Sequence, residues 1–260
     1  MKKFIYSVFV IILFASCHTH SLVPQSQNVP LFTDKHEFRV STGMGFNAAN
    51  VQLAYSPIKH LGVLTNVMVS STGLYFVPEV AIGVYYPIQK KFIFELYAGY
   101  ADCSYSYTND KELYRDFIFG GYSGYYKTNI RMACNRYFVQ PNIGFKINEY
   151  VDLAFSFKTS YWDYKTFNYN REFWVFKDRR GLYSSLREKE SLNLNKTSQY
   201  TFEPAITLRA GGKDHKVLLQ TGFYSYYYEG NNIAKPYQTF PIFIRFGYNG
   251  SFDFKKNKKV

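Results

Sequence analysis

Apolar and polar residues alternate with a period of two over much of this chain, the pattern of strands with one greasy face and one polar face. It is cleanest at the C-terminal end. There Ile242, Ile244, Phe246, Tyr248, Phe252 and Phe254 alternate with Arg245, Gly247, Asn249, Ser251 and Asp253. Val151, Leu153, Phe155 and Phe157 alternate with Asp152, Ala154, Ser156 and Lys158, and Phe202, Pro204, Ile206 and Leu208 with Glu203, Ala205, Thr207 and Arg209. The pattern predicts ten strands, at 37–46, 50–57, 61–70, 74–86, 92–107, 132–147, 150–168, 199–210, 216–228 and 238–254. After residue 17 no stretch approaches the roughly eighteen apolar residues that a membrane helix needs, so any membrane contact must come from strands.

Alternation alone does not separate a soluble sandwich, greasy side inward, from a membrane barrel, greasy side toward lipid. Three features favour the barrel. The predicted connections are short on one side (58–60, 87–91, 148–149, 211–215), and the two longest, 108–131 and 169–198, fall on the other. A hairpin pattern recurs around Pro78, Pro141 and Pro204, spaced 63 and 63 apart, with the prolines expected near the outer rim or at bulges. Aromatic clusters (Tyr100, Tyr105, Tyr107; Tyr161, Trp162, Tyr164; Tyr224, Tyr226–Tyr228) close the upper ends of rising strands, where an interfacial girdle belongs. The expected fold is a single antiparallel up-and-down transmembrane-type β-barrel of about ten strands (8–12) with its long loops on one side. The competing reading is a periplasmic, lipid-tethered soluble barrel or sandwich that binds a hydrophobic or glycan ligand.

The N-terminus supplies the compartment. Lys2 and Lys3, the apolar run Phe4–Phe14 and then Ala15-Ser16-Cys17 form an export signal ending at a cysteine suited to acylation. The chain divides into a signal peptide (1–16), a lipid-anchor linker (17–35), a barrel (36–254) and a basic tail (255–260). The expected location is the bacterial outer membrane, with the protein lipid-anchored at its N-terminus. Residues His18–Asn28 hold no acidic cluster, so the acyl chains are expected in the periplasmic leaflet beside the barrel. A formal charge of +12, or +10 without Lys2 and Lys3, comes with no nucleic-acid motif. Outer-membrane lipids, including lipopolysaccharide phosphates, are the expected anionic partners, beside the barrel-assembly and lipoprotein-sorting machinery.

Asn28-Val-Pro-Leu-Phe-Thr-Asp-Lys-His-Glu-Phe38, followed by Gly43-Met-Gly45 and Val51-Gln-Leu-Ala-Tyr-Ser-Pro57, resembles the start of uncharacterised outer-membrane β-barrel lipoproteins of the Bacteroidota. The resemblance implies an acylated cysteine, a short linker, an Asn-x-Pro-Leu-type motif and an antiparallel barrel. It covers residues 17 to about 57 by motif and the remainder by architecture. His36 departs from it, standing where glycine is common, and Lys255–Val260 extends past Phe254, the aromatic on which many such barrels end.

Chemistry is sparse. Cys103 and Cys134 share the polar phase on strands joined by 108–131 and are disulfide candidates. Glu79, Glu95, Arg136, Asp152, Lys158, Glu203, Arg209 and Arg245 also share that phase and are expected to face the lumen as ion-pair networks, or to line a narrow pore. In 169–198, Trp174, Lys177, Arg179 and Arg180 combine an aromatic with cations and are candidates for partner contact, on a loop or on a short helix across the barrel mouth. No catalytic residue, metal set or cofactor motif is nominated. Membrane-embedded lipid-modifying enzymes also use barrels, so that activity stays open without a nominee. The function expected is structural, surface-binding or narrow-channel.

Overall fold

The computed structural model describes residues 26–45, 48–70, 76–88, 91–115, 123–176, 184–193, 197–228 and 242–254. Among them are twelve strands: β1 (Glu37–Met44), β2 (Ala48–Tyr55), β3 (Leu61–Ser70), β4 (Phe76–Ile88), β5 (Phe92–Arg115), β6 (Ser123–Lys146), β7 (Val151–Phe176), β8 (Ser184–Asn193), β9 (Thr197–Gly211), β10 (His215–Phe223), β11 (Ser225–Tyr228) and β12 (Ile242–Asp253). Each pairs antiparallel with its neighbours, and β12 returns to β1, with Glu37 opposite Asp253. Because β9 pairs with both β7 and β10, the sheet closes into a ring of ten strands. The two remaining segments are extensions: β8 continues the β9 edge up along β7, and β11 continues β10 along β9 in the same register.

The pleat sorts side chains between two environments. On β2, Val51 and Leu53 point outward and are exposed while Asn50 and Gln52 are buried, and the same inversion runs around the ring. Ile82, Leu96, Val139, Ile143, Phe155, Ile206, Leu208 and Phe246 face out. A soluble barrel or sandwich would bury these and expose the polar residues, so the soluble alternative is excluded by the polarity of the wall. No described helix is long and apolar enough to cross a membrane, and the strands are the spanning elements.

The two rims differ. Tight connections join β2 to β3, β4 to β5, β6 to β7 and β9 to β10 at one rim, where the barrel also begins and ends. At the other rim the wall is uneven. β1, β2 and β3 have 8, 8 and 10 residues, whereas β5, β6 and β7 have 24, 24 and 26. A membrane strand needs only about 9–11 residues, so β5–β8 rise above the bilayer as a wall on one side. This corrects the reading of 108–131 and 169–198 as loops, since most of both is strand. The ladder there shifts register between Asn109 and Glu112, between Ala133 and Cys134, and between Phe173 and Trp174. Each bulge flips the phase, which erases the period-two signal in sequence.

Two of the prolines also differ from expectation. None sits at a bulge: the β4–β5, β6–β7 and β9–β10/β11 ladders keep one register across Pro78, Pro141 and Pro204. Pro78 lies near the upper end of β4, as expected, and Pro141 and Pro204 lie within the wall; at all three the pairing to the following strand lapses over the proline and its predecessor. A missing N–H accounts for a gap without a shift. The girdle is corrected as well. Trp162, Tyr164 and Tyr224 are buried inside, and the outer aromatic pairs are Tyr100 with Tyr137 and Tyr161 with Tyr200, at ring separations of 5.5 and 5.2 Å. Trp162 and Tyr164 follow Lys158 and Ser160 on the inward phase.

Because Ile206 faces outward midway along β9, Ile206→Arg is expected to destabilise the barrel by about 2–4 kcal/mol in lipid vesicles, the cost of a cation at the bilayer midplane. Urea unfolding in lipid reads this, and a change near zero would mean that this face does not meet hydrocarbon.

Candidate functional site

The site is the lumen, and much of it is occupied by the chain itself. Residues 26–32 run through the barrel interior, buried throughout. The described part of the expected linker thus begins, at Ser26–Phe32, as an internal strap. The strap reaches the tight-turn rim at Phe32, whose ring packs 5.4 Å from that of Tyr85 and whose N–H donates to Glu95 Oε1 at 3.1 Å. The Glu37 carboxylate then accepts from the backbone N–H groups of Thr33 (3.2 Å) and Asp34 (2.9 Å) and pins the turn into β1. His36 in that turn has φ 64°, in the left-handed region that favours glycine.

Going up the strap, side-chain amides satisfy its backbone. Arg209 Nη1 donates to the Val29 carbonyl (3.0 Å) and Gln140 Nε2 to that of Asn28 (2.7 Å). Gln220 holds both backbone groups of Gln27, accepting from its N–H at 3.0 Å and donating to its carbonyl at 2.9 Å. Gln52 and Asn66 both donate to the Ser26 carbonyl, at 3.0 and 3.2 Å. Asn28 Nδ2 donates to the Leu53 carbonyl and Gln27 Nε2 to that of Glu203, so the strap also binds the wall's own backbone. Small lumen-facing residues make the room. A Cβ on Gly144 would lie 2.1 Å from Leu31, and Ala54 and Ala81 lie around Phe32 as Ala154 does around Val29 and Leu31. None of these amides was singled out by sequence, because an Asn or Gln on a polar phase does not announce a backbone partner.

The eight ionisable residues expected on the lumen phase are all buried. Four meet beside the upper part of the strap. Lys158 Nζ lies 2.6 Å from Glu79, Arg136 is paired with Glu203, and Arg136 also stands 3.9 Å from Glu79. Two cations thus face two carboxylates. Aromatic faces cover them: Arg136 lies 4.7 Å from the Trp162 ring and Lys158 4.0 Å from that of Phe138. Asp152 pairs with Lys216 (2.9 Å) and Arg209 (3.7 Å) toward the tight-turn rim, where a cavity of about 290 Å³ opens between Glu37, Arg39, Lys146 and Asp253. Glu95 accepts from Asn142 as well as from the strap, and Arg245 reaches Asn50 at 3.4 Å.

Above the ionic layer the filling turns apolar. Met68, Val77, Ala101, Met132, Trp162 and Tyr164 enclose Cys103 and Cys134, which pair directly across the β5–β6 ladder as free thiols. Trp174 lies near the top of β7, stacked on Tyr125 with rings 6° from parallel. Cys17, Lys177, Arg179 and Arg180 lie outside the described residues, as do Tyr226–Tyr228 in their side chains. The lumen therefore holds three layers, strap, ions and apolar cluster.

No family model matches the chain, and no curated protein matches it. Among solved structures it is similar to a KdgM porin in complex with disordered oligogalacturonate, at 10% identity over 83% of this chain and 99% of that one, with a TM-score of 0.37. It is also similar to the KdgM porin alone (10%, 83% and 99%, TM-score 0.34) and to the CymD monoaromatic hydrocarbon channel (8%, 84% and 89%, TM-score 0.27). The barrel assignment itself rests on the closed ladder and the inverted polarity of the wall.

With Glu79 and Lys158 both buried, Lys158→Met is expected to cost about 3–5 kcal/mol, because it strands a carboxylate. Adding Glu79→Met should restore most of that, since Arg136 and Glu203 remain a balanced pair. Unfolding of the two variants in lipid vesicles checks both steps.

Proposed function

We propose that this chain is an outer-membrane β-barrel lipoprotein, lipidated at Cys17, with a structural and surface-binding role rather than a catalytic one. The observation that carries the reading is the pairing of an apolar exterior with a lumen filled from within. A barrel so filled is a membrane platform at rest, not an open pore. Its tight-turn rim faces the periplasm and the β5–β8 wall faces outward. Above the outer tyrosine pairs that wall exposes Lys127, Arg131 and Lys165, placed for the phosphates of lipopolysaccharide. Trp174 on Tyr125 supplies an aromatic contact higher up. The chain would reach this membrane through the barrel-assembly and lipoprotein-sorting machinery.

A narrow-channel role is supported by one feature. The strap is held by hydrogen bonds and packing alone, so a ligand or partner that displaced it would open the lower lumen. Purified protein in planar bilayers is expected to show no sustained current, while deletion of residues 26–32 combined with Trp162→Ala and Tyr164→Ala, which opens the upper filling as well, should produce one. Ready conduction by the intact protein would overturn the closed platform. A silent deletion variant would remove the channel reading. For location, the Cys17→Ala protein should stay in the membrane pellet through a high-pH carbonate wash, and its release would sink the integral-barrel assignment.

A further inference from the structure

Sulfur is gathered at one level of the lumen. After Cys17 the chain has five sulfur side chains, Met44, Met68, Cys103, Met132 and Cys134. Met44 is exposed, and the other four lie in one buried cluster. The ladder puts them there. Met68 of β3 stands opposite Val77 of β4, the register that sets Phe76 against Ser104 carries Val77 to Cys103 of β5, and Cys103 stands opposite Cys134 of β6. Met132 comes one pleat period before Cys134 on the same inward face. The two thiols are free and hydrogen-bonded to each other.

We propose that Cys103 and Cys134 bind one cuprous ion as a dithiolate, with the Met132 thioether as a third ligand, just inside the mouth opposite the tight turns. The donor set selects the metal. Among the described residues no three of His, Cys, Asp and Glu gather into a site, which leaves zinc short of the ligands it needs. Two thiolates with thioether neighbours suit a soft ion, Cu(I) above all. The binding step is a ligand exchange that moves no electron. Each thiol releases its proton to solvent, both sulfurs bond to the ion, and the product is a monoanion. Positive charge already stands beside it: Arg136 lies on the inward face of β6 one pleat period beyond Cys134, and Arg245 Nη2 lies 3.7 Å from Met68 Sδ. Arg245 thus engages the Met68 sulfur and leaves Met132 as the available thioether. The position serves uptake. Among the described residues of the low side, only Val69 and Ser70 stand above Met68 in β3 and only Phe76 above Val77 in β4, a rise of about 7 Å along a strand. The strap and the ionic layer lie deeper, so from that side the sulfur row is the layer an entering ion meets first.

Copper retention by the full-length chain tests this, in the Cys17→Ala background where Cys103 and Cys134 are the only thiols. The reduced protein is refolded into detergent micelles with Cu(I) present and oxygen excluded. Heat-modifiable migration identifies the folded fraction, which is then challenged with an excess of the Cu(I) chelator bicinchoninate. The expected result is one Cu(I) retained per chain, with sulfur alone around the metal by X-ray absorption. Cys103→Ser and Cys134→Ser should each abolish retention, and Met132→Leu should weaken it by about tenfold, the scale of losing one supporting contact at a metal. The exposed Met44 is the control, and Met44→Leu should change nothing. Loss of all copper to the chelator, equal retention by the serine variants, or nitrogen and oxygen in place of sulfur around the metal overturns the site. Full retention by Met132→Leu overturns the third ligand. The absorption spectrum needs no variant, so it decides the question even if a serine chain does not fold.

Discussion

An enclosed stretch of extended backbone must find a partner for each of its polar groups, and in this protein that requirement organises the lumen. The strap has no ladder to join, so the wall supplies amide side chains in place of a neighbouring strand. Asn and Gln suit the task because each carries both a donor and an acceptor without a net charge. Gln220 uses both at Gln27, and Gln52, Asn66 and Gln140 each place a donor on a strap carbonyl. Where a cation does reach the strap, as Arg209 does at Val29, a carboxylate, Asp152, stands beside it. Glu95, the carboxylate at Phe32, is held instead by hydrogen bonds from the strap N–H and Asn142.

The same logic separates the layers above. Beside the upper part of the strap the wall switches to full charges that satisfy one another: Glu79 and Glu203 against Lys158 and Arg136. Such a cluster is weak evidence for stability, since desolvation offsets much of the attraction, but it tolerates no single loss. Of its aromatic covers, Trp162 belongs to the apolar filling around the two cysteines and Phe138 to the cluster around Phe32.

How much of this the sequence carried can be read from particular residues. The faces of β9 and β12 were legible because Phe202–Arg209 and Ile242–Asp253 alternate without interruption, and the phase alone put Glu203 and Arg245 inside. The same phase placed Trp162 with Lys158, and the girdle reading, which holds at Tyr100 and Tyr161, failed at Trp162 and Tyr164 by weighing residue type over phase. The tall wall was not legible, since one inserted residue at Lys165 flips the alternation between Tyr164 and Tyr169 and makes a strand look like a loop. The strap was the least legible part. Ser26–Phe32 has no period, and its partners lie as far away as Gln220.

Barrel geometry explains why a strap is needed at all. Eight strands enclose a lumen that side chains just fill, and each added strand widens it. Ten strands leave more room to fill than eight, yet too little for the wide water channel of a large porin. One solution is to fill the space with bulky residues, and the upper lumen does so with Trp162, Tyr164, Arg136 and Met68. The lower lumen takes the other course: Gly62, Gly144, Ala54, Ala81 and Ala154 thin the wall from within, and a second piece of chain takes the space they leave. Small residues in that phase would be cavities without the strap, and each would cost stability for nothing. Their presence against Phe32, Leu31 and Val29 means that the wall and the strap form one packed unit rather than a pore with a chance occupant.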